Sequence, residues 1–296
     1  MIISAIKKIY KLLDDPLYGE ILMLHRVVEQ RSMLEENRIL EVTPIFLEQT
    51  ILNYQDRGYR FASLDELQWQ LEKRKRNRRK FVCFTLDDGF ADNYDQAYPV
   101  FKKHNCPFAI YITTDFPDKK ALYWWYLLEE LLLKKDNISM NGIEYDCSNM
   151  EKKNKAFLKI RDHIFSSTAD MTMTALKQLF KDNNCHTKVR ALSWEQIVEM
   201  SNDPLCTIGA HSVTHASLPL LSDEKIRSEL LEGKQKIEEK INKPVNHFAY
   251  PYGNYDEKVM RLVMEQFNTA VTTNAGSIIK GDHAYQLNRN VLFEII

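Results

Sequence analysis

Short apolar runs alternate along this chain with longer polar stretches that keep a helical period. Runs at 21–24, 81–86, 108–112, 206–209, 247–250, 269–272 and 291–294 have the length and composition of strands. Between them, residues 44–57 read as a helix that starts after Thr43, a good N-cap. Residues 221–242 read as another, beginning with Ser222, in which Glu224, Lys225, Glu229 and Lys234 keep an exposed face charged. This alternation predicts an α/β fold, an irregular (β/α) barrel of about seven parallel strands, with its site at the strands' C-terminal ends.

Residues 119–190 break the rhythm. They contain no comparable strand run and open with LYWWYLLEELLLKK, so they read as a helical insertion after the third strand. Packing onto the barrel explains its aromatics more simply than ligand binding does, although Trp124 or Trp125 would suit a sugar-binding rim. Without an internal repeat or a low-complexity tract, 1–296 is expected to be one barrel domain carrying this insertion.

Composition narrows the options. The 40 basic and 41 acidic side chains leave a net charge of −1, which argues against a nucleic-acid partner. Hydrophobic residues at 44% and charged residues at 27% exclude disorder and fibrous repeats, and no apolar run is long enough to span a bilayer. Cys83, Cys106, Cys147, Cys185 and Cys206 are odd in number and never form a CxxC pair, a pattern suited to a reducing compartment. The first twenty residues lack a signal peptide's apolar core and cleavage site, so the expected address is cytoplasmic. Residues 73–80 hold seven cations in eight positions, read first as a solvated flank of the following strand. The alternative is a patch for anionic lipid headgroups or a phosphorylated substrate, and with the amphipathic start at Ile2, Ile6, Ile9 and Leu13 the run would support weak contact with a membrane surface.

The chemistry is concentrated in three segments. In FVCFTLDDGFADNY, residues 81–94, an apolar strand runs into Asp87 and Asp88. Adjacent carboxylates repel, so ending a buried strand with two of them needs compensation, and a divalent metal would supply it. The bland alternative is an ordinary strand-to-helix turn at Asp88 and Gly89. In TIGAHSVTHASL, residues 207–218, His211 and His215 follow a second strand. Their spacing of four would put both imidazoles on one side of a helical turn. Together Asp88, His211 and His215 make a three-ligand N/O set with open positions, suited to zinc, with Co2+, Ni2+ or Fe2+ as substitutes. The third segment, HFAYPYGNYD at 247–256, ends a strand in a Pro-Tyr-Gly turn.

In this order the segments resemble the polysaccharide deacetylase (NodB-homology) superfamily, carbohydrate esterase family four. The first motif reads Thr85, Leu86, Asp87, Asp88, Gly89; the second runs from His211 through Ser212 to His215; the third is Pro251, Tyr252, Gly253. LMLHRV at 22–27 and LSWEQIVEM at 192–200 look like the bacterial envelope-polysaccharide branch. The resemblance covers roughly 20–118 and 190–296, leaving the insertion less covered.

The resemblance implies that Asp87 is the general base, that Asp88, His211 and His215 hold the metal, and that Tyr252 offers its backbone N–H to an oxyanion. Two departures stand out. Ala249 and Tyr250 occupy the place of the family's base-orienting arginine, for which Arg289 is the available substitute. The family's late motif carrying an acid histidine is not visible; His283 reads as a loop residue, and His25 is the better acid. The expected activity is removal of an N-acetyl group from an amino sugar in capsule, exopolysaccharide or lipopolysaccharide synthesis. The alternatives are a deformylase or amidase on a lipid- or nucleotide-linked sugar, and a glycan-binding relative without catalysis.

Overall fold

The computed structural model describes residues 17–73, 79–166 and 169–295. The amphipathic start and most of the basic run therefore lie outside the described residues. Six strands follow one another in a parallel, strongly curled half-barrel: β1 (Leu17–Leu24), β2 (Phe81–Leu86), β3 (Phe108–Ile112), β4 (Cys206–Ala210), β5 (His247–Ala249) and β6 (Thr269–Val271). Two short strands flank β1, an antiparallel β7 (Ile278–Ile279) and a parallel β8 (Asn290–Val291). The sheet is thus mostly parallel rather than wholly so.

The strand expected at 291–294 is a correction: only Asn290–Val291 pairs in the sheet. Beyond it the chain turns away, and the Glu294 carboxylate accepts from the backbone N–H and hydroxyl of Thr43. Residues 284–292 instead bridge the two ends of the curl. Ala284 and Leu287 exchange backbone hydrogen bonds with Ala270 and Thr272, and Leu292 N–H donates to Met23.

Alternation along β2 sorts its side chains. Val82, Phe84 and Leu86 join an outer core with the covering helices, while Phe81 and Cys83 join an inner cluster with Ile21, Tyr111 and Val271. Among those helices, α1 (Pro44–Asp56) starts at Thr43, whose hydroxyl accepts from Phe46 N–H at 3.2 Å. Helix α2 (Leu64–Lys73) closes the inner cluster with Leu64 and Leu67.

The insertion contributes α3 (Trp124–Lys134), α4 (Met150–Ile164) and α5 (Ala169–Asp182), with a core of their own that includes Trp124, Leu128, Phe157, Ile160 and Leu176. It is not purely helical. Asn137–Met140 and Ile143–Asp146 form a hairpin, joined by Asn141 and Gly142 at φ 52° and 75°. An Asn-Gly pair between short alternating segments is a strong hairpin signal, so this element was legible in the sequence. Finally α6 (Asp223–Ile241), capped by Ser222, packs against β4.

Candidate metal centre and active site

Parallel register delivers the motif residues to one rim. Leu24 pairs with Leu86, Leu86 with Ile110, Ile112 with Ala210, and Ala210 with Phe248. The next residues along each strand, His25, Asp87 and Asp88, Thr113, and His211, therefore emerge together. The turns that aim them are strained. Asp88, Ser212, His215 and Tyr252 all take left-handed backbone, at φ 76°, 65°, 62° and 59°. Such conformations cost about 1–3 kcal/mol each for residues with a side chain and persist only where the surroundings impose them. Gly89, at φ 85°, completes the exit from β2.

The histidine pair corrects the expectation of a helical turn. Residues 211–216 are an irregular loop, and the left-handed residues Ser212 and His215 fold it back instead. Ser212 Oγ accepts from His215 N–H at 3.1 Å, and the Thr113 hydroxyl donates to the His211 carbonyl at 3.0 Å. From α6 the Glu229 carboxylate accepts both Val213 and Thr214 N–H at 2.9 Å. Glu229 is thus not part of an exposed charged face but holds the loop that carries both histidines. Glu229→Ala should weaken metal affinity by about 10–100-fold, as loss of an orienting partner typically does, and competition with a chelator would measure it. Unchanged affinity would make the contact purely structural.

Asp88 Oδ1 lies 3.1 Å from His215 Nε2 and 3.4 Å from His211 Nε2, and the two Nε2 atoms are 3.2 Å apart. All three residues are buried. The His211 Nδ1–H donates to the Ala249 carbonyl at 2.8 Å, which leaves the Nε2 lone pair facing the cluster. Asp88 Oδ1 is buried without a hydrogen-bond partner. An orphaned carboxylate oxygen beside two converging imidazole nitrogens is a donor set that a divalent cation fits.

Asp87 is held differently. Arg289, fully buried, reaches both of its oxygens at 2.7 Å through Nη1 and Nη2. The same guanidinium donates to Thr85 Oγ1 at 3.1 Å and to the Thr272 carbonyl at 2.8 Å. Burial pushes the Asp87 carboxyl up, but Arg289 outweighs it and holds the group below the usual carboxylate range. His25 Nε2 stands 4.0 Å from Asp87 Oδ2, and its buried Nδ1 has no partner. Burial, with Arg289 and His211 adding to it, lowers the His25 pKa against the opposing pull of Asp88 and Asp87. His283 sits exposed in its loop.

A cavity of about 470 Å³ opens over these groups and takes in His25, Asp87, Asp88, His211, His215 and Tyr252. The insertion builds its far wall. Trp124, Phe157, Arg161 and Phe165 line it, with Asn37, from the single helical turn Glu35–Arg38, and Leu40 just after that turn. Trp124 and Trp125 pack in the insertion core and also border the cavity, so the two readings of these aromatics are not exclusive. Phe157, Arg161 and Phe165 went unnoticed in the sequence, though a spacing of four puts them on one helix face. The Glu35–Arg38 turn is anchored by buried Glu129 on α3, whose carboxylate accepts Met33 and Leu34 N–H and the Asn37 side-chain amide.

The chain is similar to known proteins over most of its length. YxkH of Bacillus subtilis (strain 168), assigned by name to the polysaccharide deacetylases, is 21% identical over 277 residues, covering 93% of this chain and 72% of that one. The Streptococcus pyogenes deacetylase PplD, solved in complex with acetate, superposes with a TM-score of 0.65 at 20% identity, over 94% of this chain and 93% of its own. IcaB from Ammonifex degensii gives 0.63 at 20% identity, over 93% and 92%. Identities this low show the shared fold. Residues 74–271 match the sequence profile of the polysaccharide deacetylases, and that span holds Asp87, Asp88, His211, His215 and Tyr252. By this match the chain belongs to the polysaccharide deacetylase family of hydrolases, the NodB-homology group.

Proposed function

We propose that this protein removes the N-acetyl group from an amino sugar during synthesis of an envelope glycan, with Asp87 as general base and a zinc-type cation at Asp88, His211 and His215. The observation that carries the reading is the division of labour between adjacent carboxylates. Asp87 is clamped by Arg289 and faces the cavity, while Asp88 turns to the two histidines. A binding module would have little reason to keep an oriented base beside a ligand set. The envelope assignment rests on the likeness of LMLHRV and LSWEQIVEM to that branch of the family.

When bound, the cation would polarise the amide carbonyl and acidify the attacking water. Arg289 keeps Asp87 ionised and aimed, so that its carboxylate takes the proton as the new C–O bond forms. Tyr252 N–H, in the loop after β5, donates to the developing oxyanion. Because burial lowers its pKa, His25 takes up the proton that Asp87 receives from the water and gives it to the departing amine, its Nε2 standing 4.0 Å from Asp87 Oδ2 on the same rim.

The direct test is release of acetate or formate, with a free amine, from N-acetylated and N-formylated glucosamine oligomers by zinc-loaded protein. No release from either, with the cation bound, would contradict the reading. His25→Ala should slow turnover by about 100-fold, at the lower end for a lost general acid, while metal content stays constant. It should also reshape the alkaline limb of the pH–rate profile, and an unaltered limb would remove His25 as the acid.

A further inference from the structure

A second cavity, of about 600 Å³, adjoins the first and shares Trp124, Phe165, His215 and Tyr252 with it. The Phe165 and Tyr252 rings meet at a centroid distance of 4.5 Å. They form a bar between the two spaces, with His215 bordering both.

Among the described residues, the lining of the second cavity carries more cations than anions. Lys120, Lys177 and Lys225 border it with one carboxylate, Asp115, while Asp118 and Glu229 stand close to Asp115. The lysines come from three places: the stretch before α3, the middle of α5, and the first turn of α6. Lys177 and Lys225 make no ion pair with any described residue. Lys120 Nζ lies 3.5 Å from Asp118 Oδ2, but that oxygen already accepts from Lys236 at 2.6 Å, and Trp194 Nε1–H occupies the other at 2.9 Å. Ser217 Oγ accepts from Asn254 at 3.1 Å, which leaves its own proton to donate into the same space.

These exposed lysines leave an excess of positive charge beside a concavity, and a concave wall raises the local concentration of an anion. The side-chain chemistry narrows its class. Lysines act as compact point charges, and their excess over the lining carboxylate matches a phosphoryl group, which as a monoester carries about −2 at neutral pH, better than a carboxylate with its single charge.

We infer that the second cavity binds a phosphoryl group carried by the amino sugar, placing the acyl group at Asp87 and the phosphate among Lys120, Lys177 and Lys225. The inference rests on the deacetylase reading for its orientation, but the phosphate site can be tested without turnover. The phosphate would come either from a free sugar phosphate or from a phosphodiester-linked glycan.

Metal-free protein is titrated calorimetrically with N-acetylglucosamine, its 1-phosphate, its 6-phosphate, the methyl diester of the 1-phosphate, and glucuronate. At least one phosphorylated sugar should bind ten or more times more tightly than the neutral sugar, and the preference should fall with added salt. Lys177→Ala/Lys225→Ala should erase that preference while leaving the circular-dichroism spectrum unchanged. Tighter binding of the diester points to a linked glycan, and tighter binding of a monoester to a free sugar phosphate. Equal affinity for neutral and phosphorylated sugars, a preference that survives in the double variant, or glucuronate binding as well as phosphate would each overturn the inference. Phosphate binding without acetate release by the zinc-loaded enzyme would instead overturn the deacetylase reading and leave this cavity standing.

Discussion

Asp87→Asn lowers turnover by about two to four orders of magnitude, the usual worth of a positioned base, and leaves the cation at Asp88, His211 and His215. The carboxamide has nearly the same shape and still accepts a hydrogen bond from Arg289, yet it cannot take a proton at any working pH. Asp87 makes no contact with the histidines that would require its charge for metal binding, since Asp88 Oδ1 is the oxygen beside both Nε2 atoms. Acetate release and metal content are read on one preparation. Activity within about tenfold of wild type would remove Asp87 as the base. Loss of the metal would show that the two carboxylates are not separate in role.

Arg289→Met should have the largest effect on stability. The substitution removes both hydrogen bonds to a buried carboxylate and leaves that charge unpaired, which costs about 3–5 kcal/mol when one partner of a buried pair is deleted. The pH dependence has a definite sign. In wild type the Asp87 carboxyl is held low, so its pairing contributes stability above the unfolded-state value of about 3.9 and loses it as pH falls through the folded value. In the variant, burial is no longer outweighed by Arg289, the carboxyl is pushed up, and the penalty is greatest where it must ionise. The stability gap between the two proteins should therefore be widest at pH 7 and narrow towards pH 4. Urea unfolding of metal-free protein at both values checks this, and Arg289→Lys should recover part of the gap. A gap of equal size at the two pH values would mean that Arg289 acts through packing, not through charge.

The local parts of the site were legible because each lies within one short segment. The strand 81–86 and the two carboxylates after it are contiguous, and 206–210 leads into His211 in the same way. Contacts that depend on the curl of the sheet were harder to read. Asp87 and Arg289 are 202 residues apart and meet because residues 284–292 bridge β6 and β1. Arg289 was named from the sequence only as a substitute for a missing arginine, with nothing in the pattern to specify its bidentate grip. Glu229 looked like part of a solvated helix face because helical period alone does not reveal a neighbouring loop short of hydrogen-bond acceptors. The histidine spacing pointed to the right pair for a partly wrong reason. It suggested a helix, whereas left-handed backbone at Ser212 and His215 brings the rings together. The cavity wall from the insertion was the least legible, since Trp124, Phe157 and Phe165 serve as core residues and lining at once.

The proposed activity depends on one cation held by three residues. Its most direct test is the metal content of wild type and a His211→Ala/His215→Ala double variant after zinc reconstitution and removal of loosely bound ion. One equivalent is expected in wild type and none in the variant, with amine release from N-acetylated sugars only in the former. No metal in wild type after reconstitution, or the same content in both proteins, would contradict it.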